Sequence, residues 1–177
     1  MSETSKGDTA TVVLIHGAYA DASSWSGVIT RLQAKGVPVT APANPLRGIA
    51  EDSAYAASVF AQIDGPVLAV GHSYGGAVIT NAATDAKNVV GLVYVAAFAP
   101  EEGETLGAIE AGSKDSVLNS ALVPRQYPTG NGGSATGRCV AAITAVCSAG
   151  KSAAKASWNF AGSIASSTAC SPPFAAG

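Results

Sequence analysis

Short apolar runs and stripes of helical spacing take turns along the first hundred residues of the chain. Thr11–Ile15 (TVVLI) is apolar and largely β-branched, which suits a strand buried on both faces. His16 and Gly17 end it. From Asp21 to Lys35, the residues Trp25, Val28, Ile29 and Leu32 fall three and four apart, the spacing of one helix face. Asp21 is placed to cap that helix and Gly36 to stop it. A second strand is predicted at 37–41, with Pro38 near its start, where a missing N–H is tolerated. Pro42, Asn44, Pro45 and Gly48 then make a loop. A second helix is predicted over Glu51–Ile63, with Tyr55, Val59 and Ile63 on one stripe, and Gly65 and Pro66 break it. Pro66–Val70 reads as a third strand, Ser73–Ala86 as a third helix and Val89–Val95 as a fourth strand.

Alternation of strand and helix with short connections predicts an α/β fold. The sheet should be open and mostly parallel, with helices on both faces and right-handed crossovers. The pattern stops after the fourth strand. Residues 100–133 carry Pro100, Pro124, Pro128 and the run Gly130–Gly133, and predict a loop-rich excursion with one short helix near 105–111. Further on, Val140–Ala145 and Ala153–Trp158 fit strand and helix equally well.

Composition changes this picture at one place. The chain has 177 residues, 47% of them hydrophobic, enough to bury a sizeable core in one or two domains. Residues 1–133 carry all twelve acidic residues and seven of the ten basic ones, a net charge of −5. Residues 134–177 carry no acidic residue and three basic ones, together with all three cysteines, thirteen alanines and eight serines. The expected organisation is therefore a disordered N-terminus at 1–9, a core at 10–133 and an atypical Ala/Ser-rich tail at 134–177. A shifted reading frame in a GC-rich gene would give such a tail.

Charge and cysteine usage exclude several classes. A net charge of −2 gives no basic patch of the kind nucleic-acid binders carry. No uncharged apolar run reaches the roughly 18 residues that a membrane-spanning helix needs. The polar start, Met1–Asp8, has no apolar core of a signal peptide. Cys139, Cys147 and Cys170 are odd in number and have no histidine near them, which argues against a disulfide framework and a zinc site. A cytoplasmic protein without metal is the expectation.

The chemistry lies in Gly71-His72-Ser73-Tyr74-Gly75, which matches the G-x-S-x-G nucleophile elbow and sits between a predicted strand and a predicted helix. A serine at such a sharp turn has a strained backbone. Side chains two residues before and after it would collide with the turn, so glycine is needed at both positions. The turn lifts Oγ above the carboxyl ends of the strands, and the following helix aims its positive end at the same place. The bare pattern without chemistry would be a glycine-rich strand-to-helix turn. His16 and Gly17 end a strand expected to lie beside the third. The loop 18–20 would then approach Ser73 and make the N–H groups of Ala18 and Tyr74 the natural oxyanion pair. His16, at a strand end, reads more readily as locally hydrogen-bonded than as a titrating group, and a contact from His16 or Tyr19 to substrate is the weaker alternative.

These residues, with Asp21, Ser24, Trp25 and the loop Pro42–Pro45, resemble the α/β-hydrolase superfamily, and within it the small esterases related to methylesterases and hydroxynitrile lyases. The resemblance runs from about residue 10 to about residue 130 and does not extend through the tail. It implies Ser73 as nucleophile, Ala18 and Tyr74 as oxyanion donors, and a small carboxylic ester as substrate, with no cofactor. It further implies that residues 100–133 begin a cap over the pocket. The spatial order of the strands would be those starting at Val37, Thr11, Pro66 and Val89.

The family's triad runs Ser, acid, His along the chain, yet the two histidines here, His16 and His72, both precede Ser73. His72 adjoins Ser73, but neighbours across a tight elbow point in different directions. Glu101, Glu102, Glu104, Asp85 and Asp115 follow Ser73 without a histidine to orient. The reading is thus an impaired serine hydrolase on a C-terminally incomplete fold, or a non-catalytic binding module that keeps the elbow. With the last strands missing, the fourth strand becomes an exposed apolar edge open to self-association. Two nucleotide-like patterns lose to plainer readings. Ala145–Ser152 has too few glycines and no acidic partner for a phosphate loop, and Gly130, Gly132 and Ala135 follow no strand.

Overall fold

The computed structural model describes residues 9–128, 132–140 and 170–171. The ambiguous segment 153–158, nearly all of 140–145, Trp158, Cys147 and the 145–152 pattern lie outside these residues. So does the N-terminal stretch expected to be disordered, except Thr9. Contacts divide the chain after Ile109, and a second unit runs from Glu110 to Pro173.

The first unit is a parallel sheet with helices on both faces, as the alternation predicts. Strands β1 (Thr11–Ile15), β2 (Val39–Thr40), β3 (Val67–His72) and β4 (Val89–Val95) lie in the order β2-β1-β3-β4. All pairings are parallel, with Thr11 beside Val67 and Ile15 beside Gly71. This register carries the end of β1 to the end of β3 and so fixes where the functional loops meet.

Alternate residues of the central strands feed two cores. Val13, Ile15, Val67 and Ala69 pack with Ala56 and Phe60 of α2 (Ile49–Ala61) and Val78, Ile79 and Ala82 of α3 (Tyr74–Asp85). Val12, Leu14 and Val70 pack on the other face with Trp25, and Val28, Ile29 and Leu32 of α1 (Ser26–Ala34) close that side. The apolar runs are continuous because both faces of the strands are covered. Burying each such large side chain contributes about 1.5–3 kcal/mol.

Helix ends follow the predicted chemistry. The Asp21 side chain accepts from Ser23 N–H at 2.8 Å and caps a 3-10 turn, Ala22–Trp25, that leads into α1. Hydrogen bonding from the Ser23 side chain, and then from its backbone N–H, holds the Asp21 carboxyl pKa below its ordinary value. Gly36 stops the segment with φ +71°, in the left-handed region that glycine tolerates best. Asn88 donates to the carbonyls of Phe60, Ile63 and Gly65 at 2.8, 3.1 and 3.3 Å. It thus joins the end of α2 to the start of β4.

One helix face differs from expectation. On α2 the buried residues are Asp52, Ser53, Ala56 and Phe60, while Tyr55 is 40% exposed. The stripe is rotated because Asp52, a residue that polarity would place outside, is held in by hydrogen bonds from Arg47 N–H and the Tyr74 hydroxyl.

β4 is the outer strand of its sheet among the described residues. Val90, Val93, Tyr94 and Val95 on it are exposed, Val90 by 67%. The run that reads as a core strand is thus half uncovered.

The second unit corrects the loop-rich expectation for 100–133. After α4 (Leu106–Gly112), which matches the single helix predicted, come a short α5 (Leu118–Ala121) and β5 (Leu122–Pro128). β5 pairs antiparallel with β6 (Ser134–Val140), and β6 with β7 (Cys170–Ser171). Pro124 and Pro128 obscured β5, yet proline is accepted in a strand on the side that donates no ladder bond. The composition break after residue 133 falls where β6 begins. Among the described residues no helix is long and apolar enough to cross a membrane.

Candidate active site

Ser73 sits between the last residue of β3 and the first of α3 with φ 53° and ψ −123°. A non-glycine residue rarely holds a positive φ, and such strain persists only where the surroundings over-determine it. The Ser73 carbonyl accepts from Gly76 N–H at 3.0 Å and Phe98 N–H at 3.1 Å. The Ser73 hydroxyl makes no capping bond to α3.

The glycines around the serine are required by clearance. A Cβ on Gly71 would lie 2.4 Å from the Gly75 carbonyl oxygen, and one on Gly75 would lie 2.4 Å from the Ile15 carbonyl oxygen. Both distances are far inside contact and meet backbone, which cannot swing away. Two further glycines share this constraint and were not singled out from sequence. A Cβ on Gly76 would lie 2.3 Å from the Phe98 carbonyl oxygen. One on Gly17 would lie 3.0 Å from Ser73 Cβ and 3.3 Å from His72 Nδ1. Gly17 therefore leaves the space in which the Ser73 side chain stands. Its signal was present as the residue ending β1, but its neighbour across the sheet is known only from the register.

The loop after β1 is brought to the serine as the strand order requires. Ala18 is buried and Tyr19 packs against the same core as the elbow. The Tyr74 side chain is buried too, at the start of α3.

Neither histidine is poised as a base. His16 is 2% exposed, and both ring nitrogens are engaged. Nδ1 meets the Gly17 carbonyl at 2.9 Å, and Nε2 accepts from Asn44 N–H at 2.9 Å. With Nε2 accepting, Nδ1 is the donor to the Gly17 carbonyl. The Asn44 amide also donates to the His16 carbonyl at 3.3 Å, which ties the loop 42–48 to the end of β1. His72 packs edge-on to Trp25, with ring centroids 6.2 Å apart. Burial pushes the His72 pKa below its ordinary 6.5. Of the acidic residues after Ser73, Glu104 binds its own loop by accepting from Glu101 N–H at 2.8 Å.

A residue not singled out from sequence completes the surroundings. Asp52 is fully buried. One carboxylate oxygen accepts from the Tyr74 hydroxyl at 2.7 Å and the other from Arg47 N–H at 2.9 Å. Its position in the first turn of α2 adds the favourable end of the helix dipole. Among the described residues no group of three or more His, Cys, Asp or Glu gathers as a metal site would.

The Alpha/beta hydrolase family model matches residues 12–174, so the chain belongs to that family. The match continues across the composition break. No curated protein matches the chain. Among solved structures, a pyrethroid hydrolase from Sphingobium faniae is similar at 23% identity and a TM-score of 0.57. It covers 75% of this chain and 56% of its own. Polyneuridine aldehyde esterase is similar at 23% identity and a TM-score of 0.57, over 75% of this chain and 57% of that one. An extracellular alpha/beta-hydrolase from a Paenibacillus species, described as sharing homology with tobacco salicylic acid binding protein 2, has 21% identity and a TM-score of 0.51. It covers 64% of this chain and 54% of its own. The chain thus spans a little over half the length of these neighbours, and the likeness is one of fold.

Two outcomes are expected. Gly75→Ala destabilises the protein by about 3 kcal/mol or more, whereas Gly107→Ala, whose Cβ meets nothing within 4 Å, stays within about 1 kcal/mol of the parent. Urea denaturation midpoints measure both. The depressed His72 pKa also gives a signed pH dependence. The unfolded chain takes up a proton near 6.5, the folded one only at lower pH, so stability is full above 6.5 and falls as pH drops towards the folded value. Denaturation between pH 7.5 and 5 should show a shallower loss in His72→Gln than in the parent, and identical slopes would contradict the assignment.

Proposed function

We propose that this chain is a serine hydrolase that cleaves a small carboxylic ester through an acyl-Ser73 intermediate. The strained Ser73 backbone, in a turn where neither Gly71 nor Gly75 has room for a Cβ and where Gly17 leaves space beside the Ser73 side chain, is the observation that carries this reading. Ser73 Oγ attacks the ester carbonyl carbon, and the carbonyl oxygen takes the negative charge. The N–H groups of Ala18 and Tyr74 donate to that oxygen, with the N-terminus of α3 adding its partial positive charge. Collapse expels the alcohol and leaves the acyl group on Ser73. Water then attacks the ester, releases the acid and restores the hydroxyl. The similarity to a pyrethroid hydrolase and to an esterase supports this substrate class.

The proton of Oγ goes to solvent water in this reading, because no histidine follows Ser73 and the His16 ring is already engaged. Slow turnover follows. In a well-studied serine protease the oxyanion hole and binding alone retain roughly 10³–10⁴ over water. The same missing base favours a second reading, a binding module of hydrolase shape without turnover. A cytoplasmic location belongs to the proposal, supported by the odd cysteine count and by the lack of an apolar run of spanning length.

We further propose that the edge of β4, the outer strand of its sheet among the described residues, pairs with a second copy of the chain, since its backbone beside exposed Val90, Val93 and Val95 would form a template for strand addition.

A fluorophosphonate should label Ser73 in a single burst, and Ser73→Ala should lose both the label and the hydrolysis of p-nitrophenyl acetate above background. Equal rates in the two proteins would remove Ser73 from the chemistry and leave the binding module. In light scattering, the apparent mass should rise with concentration and return to that of a monomer in Val93→Lys. A parent protein that stays monodisperse and monomeric would refute the edge pairing.

A further inference from the structure

Asp52 is a fully buried carboxylate that the reaction above does not use. Removing an ionised group from water costs several kcal/mol, so a buried carboxylate persists where fixed donors replace its hydration. Here each oxygen has one donor, and the two donors belong to different segments of the site. Arg47 N–H, at 2.9 Å, comes from the loop 42–48. The Tyr74 hydroxyl, at 2.7 Å, comes from the residue that follows Ser73. The same loop 42–48 is joined through Asn44 to His16, at the end of β1 beside Gly17 and Ala18. A chain of hydrogen bonds therefore runs from His16, beside Ala18, through Asn44 and the loop backbone to Asp52 and on to Tyr74. Its ends lie beside Ala18 and at Tyr74, the two residues whose N–H groups face the developing oxyanion in the reading above.

We propose that Asp52 is a positioning residue. Its carboxylate grips the Tyr74 phenol and the 42–48 loop, and so holds the Tyr74 N–H and the strained Ser73 backbone in the geometry that stabilises the oxyanion. The proposal rests on the reading of Ser73 as nucleophile. Tyr74 suits the role as a permanent donor, since burial and then the Asp52 hydrogen bond push its hydroxyl pKa well above the ordinary tyrosine value. The phenol therefore stays protonated wherever the protein is folded. A displaced donor matters because small misplacements of reacting groups cost up to about 100-fold in rate.

The test combines the rate of fluorophosphonate labelling at Ser73 with backbone amide exchange at Tyr74–Gly76 by NMR. Its proteins are the parent, Asp52→Asn, Tyr74→Phe and the double variant, all well below their unfolding temperatures. Each single change should lower the maximal labelling rate about 10-fold or more while leaving the half-saturating concentration of reagent unchanged. The double variant should fall no further than the worse single one, because both changes break the same link. Amide exchange should quicken at Tyr74–Gly76 and not in β1 or β3. Variants that lose thermal stability but label at the parental rate would make Asp52 a fold residue only, and multiplicative losses in the double variant would break the coupling. If the parent takes no label at Ser73, the nucleophile reading fails on its own. The amide exchange then decides whether Asp52 holds the elbow, with unchanged exchange in both variants overturning that too.

Discussion

Backbone meets backbone without side chains between at the elbow, and the rest of the first unit is arranged around that contact. The first turn of α3 lies so close to the end of β1 that a Cβ on Gly75 would sit 2.4 Å from the Ile15 carbonyl oxygen. The strand order β2-β1-β3-β4 makes this approach possible, because it sets Ile15 directly beside Gly71. Packing of Val78 and Ile79 against the sheet then holds α3 down. Ser73 has no relaxed alternative between two such constraints and adopts φ 53°. The strain at that residue, of order 1–3 kcal/mol, is offset by the large side chains buried on both sheet faces.

Close backbone approach leaves polar groups inside, and hydrogen bonds between segments satisfy them. His16, Asn44 and Asp52 are the buried polar residues that ring the elbow, and each has partners in another segment. A half-satisfied network of this kind would be worse than an apolar filling. These bonds tie the irregular loop 42–48 both to the end of β1 and to α2. The same economy explains why His16 is spent: with Nδ1 on Gly17 and Nε2 on Asn44, it holds two loops together and has no lone pair left for Oγ.

How much was legible depended on whether a signal was local. Asp21 and Gly36 announced the ends of the first helical segment because capping and positive φ are properties of one or two residues. The G-x-S-x-G spacing announced the elbow for the same reason. The face of α2 was not legible. Tyr55, Val59 and Ile63 make a good stripe on paper, but the buried face runs through Asp52, Ala56 and Phe60. A carboxylate reads as a surface residue until its donors, Tyr74 from 22 residues away and the Arg47 backbone, are seen to be in reach. β5 failed differently: its two prolines argue against a strand, and only its outer place in the sheet order β5-β6-β7 leaves one side of its backbone with no ladder bond to donate.

By itself, the amino-acid order determined the alternation of strand and helix, the family, the elbow and the lack of a histidine after Ser73. All of these are carried by neighbours in the chain or by simple presence and absence. Tertiary structure alone decided that Gly17 makes room for the Ser73 side chain, that His16 is already bound, and that Asp52 lies inside and holds Tyr74. Each of those depends on two segments that the sheet register brings together across 22 to 56 positions, and burial energy is a property of such meetings rather than of any residue.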